Sequence, residues 1–176
     1  MSLEQRLQAV IRTIPDFPKP GIQFKDITPL LADPSLCKEI VEAIAAQVGD
    51  LQIDAVMGIE SRGFLFGMML AQHLGKPFVP VRKAGKLPYH TVSHEYALEY
   101  GTAKVEIHTD AIKPGMQVLI HDDLLATGGT AGAAAELVKK LEGGVAGFSF
   151  LIDLTFLSGK KHLEQYAGRV ESLLQY

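Results

Sequence analysis

The sequence predicts a single α/β domain with a mostly parallel central sheet flanked by helices. Apolar runs of strand length alternate along the chain with runs of helical periodicity, a pattern typical of parallel strands joined by crossover helices. Unusual polar residues follow the apolar runs that end at Ile59, Val81 and Ile120. Because ligands of such sheets bind beyond the carboxyl ends of the strands, we expect a binding site at that edge.

Length and composition limit the class of protein. The 176 residues, 47% hydrophobic and 21% charged, suffice for one domain with a sizeable core. A net charge of -3 argues against a broad nucleic-acid surface, and the single cysteine, Cys37, favours a reducing compartment. There is no signal-peptide pattern, and the longest apolar stretch, 63–71, is far shorter than the roughly 20 residues of a membrane span. We therefore expect a cytoplasmic protein with no membrane contact.

The N-terminal part of the domain is expected to form a small cover over the sheet. Residues 2–12 carry apolar side chains at helical spacing. Four prolines between residues 15 and 29 preclude a helix there and predict an ordered loop with short extended pieces. We therefore divide the single domain, residues 1–176, into a helix with a hood (1–33) and a core (34–176).

The core is predicted from the period of its apolar residues. Its expected elements are helices over 34–48, 63–74 and 131–142 and strands over 53–59, 77–81, 103–108, 116–120 and 145–152. Residues 82–100 lack sustained periodicity and predict a long flexible loop, which in a compact domain is usually functional. A short tail is expected after the last strand.

The most informative segment is VLIHDDLLATGGT, from Val118 to Thr130. A strand end is followed by the carboxylates of Asp122 and Asp123, then by a small-residue loop that opens into an alanine-rich helix. Unpaired amides at a helix N-terminus accept a phosphate, and ionised carboxylates accept hydrogen bonds from hydroxyl groups. The order of these groups fits a ribose 5-phosphate.

Simpler explanations exist for each part of this segment. A strand, a glycine loop and a helix are a common sequence, and paired aspartates often only cap a helix. The Walker pattern is absent because no lysine follows Gly128 and Gly129, and no Gly-x-Gly-x-x-Gly occurs in the segment. The complete string is more specific, and it resembles the phosphoribosyl-pyrophosphate signature of the type I phosphoribosyltransferases. DDLLATGGT is similar to the form found in the adenine-specific members of that family.

This resemblance, which extends over nearly the whole chain from Arg12 to Tyr176, implies both the fold and the reaction. The expected reaction transfers the phosphoribosyl group from phosphoribosyl pyrophosphate to adenine and gives AMP and pyrophosphate. By resemblance, Asp122 and Asp123 hold the ribose hydroxyls and favour positive charge on the sugar. The 5-phosphate is expected on Ala126, Thr127, Gly128, Gly129 and Thr130.

A second match, ESRGF, lies between a predicted strand and a helix. Taken alone, this segment would be interpreted as a turn in which Ser61 caps the helix. The cations that follow Val81 would be interpreted as a solvated charge cluster. The resemblance implies instead that both segments contact the pyrophosphate leaving group and that Arg62 is a catalytic residue. It also implies Mg²⁺, bound through substrate oxygens and water without a protein ligand cage. The residues concerned are Glu60, Ser61, Arg62, Arg82, Lys83 and Lys86.

The loop over 82–100 is similar to the mobile catalytic loop of the adenine-specific enzymes. Such a loop closes over substrate and excludes water from an activated sugar. Glu99 could be a surface carboxylate, but the resemblance makes it the group that holds or protonates the purine. Because this loop often reaches a neighbouring subunit in the family, we expect a homodimer.

The proline-stiffened segment 17–28 resembles the adenine hood of the family. A stiff loop offers fixed backbone donors and acceptors to a flat base, with Phe24 available for stacking, although its aromatic residues could instead only cover the core. The resemblance places adenine against Gln23, Phe24, Lys25 and Leu125, with Ala126 as the alternative to Leu125. The family often has arginine where this chain has Lys25. The substitution matters little if the backbone makes the contact and weakens base binding if the side chain does.

Three histidines could have a functional role. His90 and His94 have the spacing of a helical zinc pair, but Pro88 disfavours a helix there. His121 stands where the family usually has an apolar residue, and it is expected either to be buried and hydrogen-bonded or to add pH sensitivity.

Two rival functions remain: transfer of the phosphoribosyl group to another base, and a ligand-sensing regulator without catalysis. The hood favours adenine, and the absence of a basic module argues against a regulator.

Overall fold

A seven-stranded sheet forms the centre of the computed structural model, which describes residues 1–98 and 101–176. Glu99, the residue expected to contact the purine, lies outside the described residues. The strands are β1 (Arg12–Pro15), β2 (Gln23–Asp26), β3 (Ala55–Ile59), β4 (Phe78–Lys83), β5 (Thr91–Ala97), β6 (Thr102–His108), β7 (Gln117–Leu125), β8 (Gly144–Asp153) and β9 (Val170–Gln175). The α-helices are α1 (Leu3–Val10), α2 (Pro34–Val48), α3 (Gly63–Leu74), α4 (Gly129–Lys140) and α5 (Gly159–Leu163).

The strand order is β5-β6-β4-β3-β7-β8-β9, with β1 and β2 in a separate antiparallel hairpin. The five strands β4, β3, β7, β8 and β9 are parallel, whereas β6 and β5 add an antiparallel edge. The chain leaves β3 toward β4 on one side and later returns to β7 on the other. This reversal of direction between β3 and β7 creates a crevice at their carboxyl ends, where ligands of open α/β sheets bind.

Hydrophobic side chains cover both faces of the sheet. One cluster joins α4 to the sheet, and the other joins α1, α2 and α3 to its opposite face. Cys37 of α2 lies in the second cluster, is 6% exposed, and donates a hydrogen bond from Sγ to the Leu30 carbonyl at 3.3 Å. Both faces of the sheet are therefore covered, and the crevice at the carboxyl ends of the strands remains open to a ligand.

Local sequence fixes where the helices begin. Ser2 and Gln5 form a reciprocal capping box at α1, which satisfies two backbone donors. Asp33 caps α2 by accepting hydrogen bonds from two backbone amides, and Pro34 occupies the first helical turn, where no intrahelical donor is lost. None of the helices in 1–98 and 101–176 has the length and apolar character needed to cross a membrane.

Three predicted boundaries were wrong. The segment 82–100 contains strand β5, a partly exposed edge strand that pairs only with β6 and therefore lacks a clear burial alternation. The expected tail contains α5 and β9, and β9 adds a parallel strand to the sheet. In addition, β7 continues through both aspartates to Leu125, so these acids lie within the strand and not after it.

Candidate active site at the carboxyl ends of β3 and β7

The loop between β7 and α4 encloses a small cavity of about 80 Å³. Asp122, Phe150 and residues 124–131 line it. The first amides of a helix have no intrahelical partner, so the start of α4 offers donors to an anion in this cavity. Gly128 has a φ of 83°, and a Cβ there would lie 3.0 Å from the Gly159 carbonyl oxygen. Glycine is therefore required to form the turn. The structure thus brings the predicted phosphate residues together around one cavity.

A second, larger cavity of about 310 Å³ lies beside the first. Phe24 from the hairpin, residues 60–62 after β3, and residues 122–124 of β7 line it. Asp122 lines both cavities and so lies between them. The arrangement can accommodate a ligand with a phosphate at one end and a ring at the other.

The two aspartates of β7 are held in a crowded, buried place. Asp123 is 3% exposed, and its backbone amide donates a hydrogen bond to the Oδ1 atom of Asp122 at 2.8 Å. A Cβ on Gly63 would lie 2.7 Å from that Oδ1, so α3 begins in direct contact with the carboxylate. Burial raises the pKa of both carboxyls, and for Asp122 the negative charge of Asp123 raises the pKa further. Arg62 opposes the rise at Asp123.

Arg62 connects β7 to the hairpin. Its Nε lies 3.0 Å from Oδ2 of Asp123, and its Nη1 donates to the Lys25 carbonyl at 3.2 Å. Its guanidinium carbon lies 4.8 Å from the centre of the Phe24 ring. The guanidinium predicted to contact pyrophosphate is thus part of the cavity wall, and it joins Asp123 of β7 to the hairpin.

Two other predicted pyrophosphate residues, Glu60 and Arg82, form a second ion pair. Arg82 Nε lies 3.1 Å from Oε2 of Glu60, and that oxygen also accepts a hydrogen bond from the Lys83 amide at 3.0 Å. The hydrogen bond from Arg82 is the main reason that the pKa of Glu60 is lowered. Lys83 and Lys86 are exposed, and the Glu60–Ser61 peptide bond is cis.

Glu106, a buried carboxylate on β6, has a role that the sequence did not indicate. Its Oε1 accepts hydrogen bonds from the backbone amides of Gly85, Lys86 and Leu87 at 3.0 to 3.1 Å. Burial opposes its charge, but these amide donors outweigh it and lower the pKa of Glu106. Glu106 therefore anchors the segment that carries the exposed lysines.

The hairpin places Phe24 at the cavity and directs the Lys25 side chain away from it. Lys25 Nζ donates to Oγ1 of Thr13 at 3.0 Å and lies 3.8 Å from the centre of the Tyr176 ring. Its carbonyl, in contrast, faces Arg62. The Lys25 side chain is thus engaged by Thr13 and Tyr176, and a contact of Lys25 with the base through its backbone stays a prediction. Gln23 is exposed at the start of β2.

The prediction for Leu125 needs a correction. Leu125 is 1% exposed and lines only the smaller cavity, beside the predicted phosphate loop (residues 126–130), whereas Leu124 also lines the cavity of Phe24. Side chains alternate between the faces of a strand, so a shift of one residue along β7 moves a side chain to the opposite face.

His121 is a core residue. It is fully buried, its Nδ1 lies 2.9 Å from the Ser149 hydroxyl, and burial lowers its pKa to about 4. His94 lies in β5 and not in a helix, so the spacing from His90 does not place two rings on one helical face. Within 1–98 and 101–176, no three His, Cys, Asp or Glu side chains are grouped so that they could hold a metal ion.

Comparison with known proteins identifies the family. A sequence profile of the phosphoribosyl transferase domain matches residues 27–172. The chain belongs to the phosphoribosyl transferase family. Its structure is a single type I phosphoribosyltransferase domain, with the α/β architecture and mostly parallel sheet predicted from the sequence.

Similar proteins and solved structures are named adenine phosphoribosyltransferase. The chain is 57% identical over 174 residues to the adenine phosphoribosyltransferase of Cytophaga hutchinsonii, covering 99% of this chain and 96% of that protein. The crystal structure of the Rhodothermus marinus adenine phosphoribosyltransferase superposes with a TM-score of 0.92 at 54% identity, covering 99% and 98% of the two chains. The Saccharomyces cerevisiae enzyme, solved with adenine and an imino-altritol bisphosphate, has a TM-score of 0.90 at 41% identity and covers 98% of each chain.

Proposed function

We propose that this phosphoribosyltransferase transfers the 5-phosphoribosyl group from phosphoribosyl pyrophosphate to adenine, giving AMP and pyrophosphate in purine salvage. The observation that carries the proposal is the pair of adjoining cavities at the end of β7, which share Asp122. One cavity suits a phosphate and the other an aromatic base. The names and identities of the relatives support adenine as that base.

The sugar phosphate binds across Asp122 in this proposal. The amides and hydroxyls of residues 126–130 hold the 5-phosphate, which the partial positive charge at the start of α4 also attracts. Asp122 and Asp123 accept hydrogen bonds from the ribose hydroxyls. Displacement at the anomeric carbon builds positive charge on the sugar, and carboxylates fixed nearby stabilise that charge.

Adenine binds in the cavity of Phe24. The ring of Phe24 stacks on one face of the base and Leu124 packs on the other, while Gln23 and the backbone of Lys25 offer donors and acceptors at the hairpin. Glu99 holds or protonates the purine so that the attacking ring nitrogen faces the anomeric carbon.

Pyrophosphate departs toward the cations around β4. Ser61, Arg62, Arg82, Lys83 and Lys86 contact its oxygens, and Glu60 orients Arg82 through the ion pair described above. The carboxylates at the crevice and the oxygens of the substrate suit Mg²⁺, which prefers oxygen ligands and retains water. Bound mainly through pyrophosphate and water, Mg²⁺ would supply positive charge next to the leaving group, beside the cations of Arg62, Arg82, Lys83 and Lys86.

We further propose a cytoplasmic homodimer. Three apolar side chains of α3 face outward, with exposed fractions of 40% for Leu65, 52% for Met68 and 36% for Met69. Contiguous exposed apolar residues of this kind typically mark a protein interface. A second copy of the chain would cover them.

The experiment that tests the activity is a coupled assay of pyrophosphate release with phosphoribosyl pyrophosphate, Mg²⁺ and each of adenine, hypoxanthine and guanine. We expect release with adenine only, and a reaction without base provides the background. Release with hypoxanthine or guanine but not adenine would overturn the choice of base. Binding of phosphoribosyl pyrophosphate without turnover on any base would instead support a regulator.

A further inference from the structure

Tyr96 contacts the phosphate loop, although nothing in the sequence indicated such a role. Its hydroxyl lies 3.0 Å from Oγ1 of Thr130, a residue 34 positions away in the first turn of α4. The Tyr96 ring is partly buried against the core, and its Cδ2 lies 3.6 Å from where a Cβ on Gly129 would be. The side chain therefore reaches the loop with both its ring and its hydroxyl.

The direction of this hydrogen bond follows from the ligand. A hydroxyl group has one proton to donate and lone pairs to accept. The oxygens of an ionised phosphate monoester act only as acceptors, so Thr130 must donate its proton to a phosphate that it binds. The Thr130 oxygen can then only accept from Tyr96. In the bound state the proton of the hydrogen bond thus comes from the tyrosine.

We propose that Tyr96 is a positioning residue for the 5-phosphate: its hydroxyl donates to Thr130 and thereby directs the Thr130 proton into the phosphate cavity. The proposal rests on the proposed phosphate role of residues 126–130. Tyr96 itself does not line that cavity, so it acts through Thr130. It also joins β5, on the segment expected to close over substrate, to the loop that binds the substrate's phosphate.

The hydroxyl is separable from the packing of β5 on α4. Lys140, at the far end of α4, donates from Nζ to the Ser93 carbonyl of β5 at 2.6 Å. The seven paired positions between β5 and β6 also hold the strand in place. Replacing Tyr96 by phenylalanine keeps the ring and these contacts and removes one hydrogen bond. The variant is therefore expected to fold.

The test compares Tyr96→Phe, Thr130→Val and the double variant with the wild type. We expect Tyr96→Phe to raise the KM for phosphoribosyl pyrophosphate about three- to tenfold, the range of one net hydrogen bond, with the KM for adenine unchanged. Because Tyr96 acts through Thr130, Tyr96→Phe should add no further rise in the Thr130→Val background. Tyr166→Phe, which removes a hydroxyl from another partly buried tyrosine outside the segment 82–100, is the matched control and should leave both KM values unchanged.

Calorimetric titration with ribose 5-phosphate separates this inference from the proposed activity, because binding needs no base and no turnover. Absence of transfer to adenine in the wild type, with the same pattern of weakened ribose 5-phosphate binding in the variants, would reject the activity and keep the positioning role. An undiminished affinity in Tyr96→Phe, a further loss in the Thr130→Val background, or failure of Tyr96→Phe to fold would each overturn the inference.

Discussion

The charge of Asp123 is the residue-scale feature on which the proposed chemistry depends most. Asp123→Asn keeps the shape of the side chain but removes the negative partner of Arg62 and the charge proposed to lie beside the sugar. We expect kcat for pyrophosphate release to fall about a hundredfold, as for loss of one preorganised electrostatic contact. Asp50→Asn, at an exposed carboxylate distant from the crevice, is the control. Near-normal turnover of Asp123→Asn, with an unchanged melting temperature, would remove the role proposed for this carboxylate.

His121 makes the stability of the fold depend on pH. Its pKa is lowered from 6.5 to about 4 by burial, so between these values the unfolded chain binds a proton that the folded chain does not. The free energy of unfolding should therefore decrease as pH falls from 6.5 to 4, by up to about 3 kcal/mol. His121→Val should remove this dependence.

Urea unfolding at pH 7, 5.5 and 4.5 measures the effect. His73→Gln, at an exposed histidine of α3, should retain the wild-type dependence. Parallel pH profiles for the wild type and His121→Val would show that His121 is not the group responsible.

Individual residues were predictable where the chemistry is local in the chain. Asp122, Asp123 and the phosphate loop form one contiguous segment, and Arg62 directly follows a strand end. The structure brings these residues together, and their roles stay predictions. Glu106 and Tyr96 gave no signal, because their partners lie 19 to 21 and 34 residues away. Contacts of this kind depend on strand pairing, which a single sequence does not specify.

At the scale of elements, the turn between β7 and α4 is the most sensitive part of the chain. In Gly128→Ala, the added Cβ would meet the Gly159 carbonyl at 3.0 Å in a left-handed conformation. We expect the free energy of unfolding to decrease by about 1–3 kcal/mol and the KM for phosphoribosyl pyrophosphate to rise more than that for adenine. Kinetics and thermal melting together measure both effects.

Gly168→Ala is the matched control for that variant. Gly168 has open space around its Cα, so an added methyl group should be tolerated. If Gly128→Ala had no larger effect than Gly168→Ala on either measurement, the turn would not require glycine.

The buried elements were predictable and the edges of the sheet were not. The range predicted for α3 is the range in the structure, and β3 and β8 are within two residues of their predicted bounds, because both faces of the sheet are covered and the apolar period is strong. In contrast, β5 has polar and partly exposed side chains, and β9 has no alternation of burial along its centre. An edge strand is stabilised mainly by backbone pairing, so its side chains carry little information about it.

For the whole molecule, the proposed dimer predicts that one cation on the outward face of α3 separates the subunits. Met68→Lys introduces a positive charge at a position where the methionine side chain is 52% exposed in the single chain. We expect the wild type to sediment as a dimer and Met68→Lys as a monomer, because a buried unpaired charge opposes association. Phe156→Lys, which places a lysine at an exposed apolar position on another element, should remain dimeric. A monomeric wild type would contradict the proposal.

The burial of Cys37 has a practical consequence for following motion in this molecule. It is the only cysteine of the chain, and burial in the core raises the pKa of its thiol, so the reactive thiolate is scarce in the folded protein. Maleimide dyes should therefore leave the native wild type unlabelled. A single cysteine introduced near the exposed Lys86 would then carry a fluorophore alone, and its emission would report displacement of that segment when substrates bind, without any background from the natural thiol.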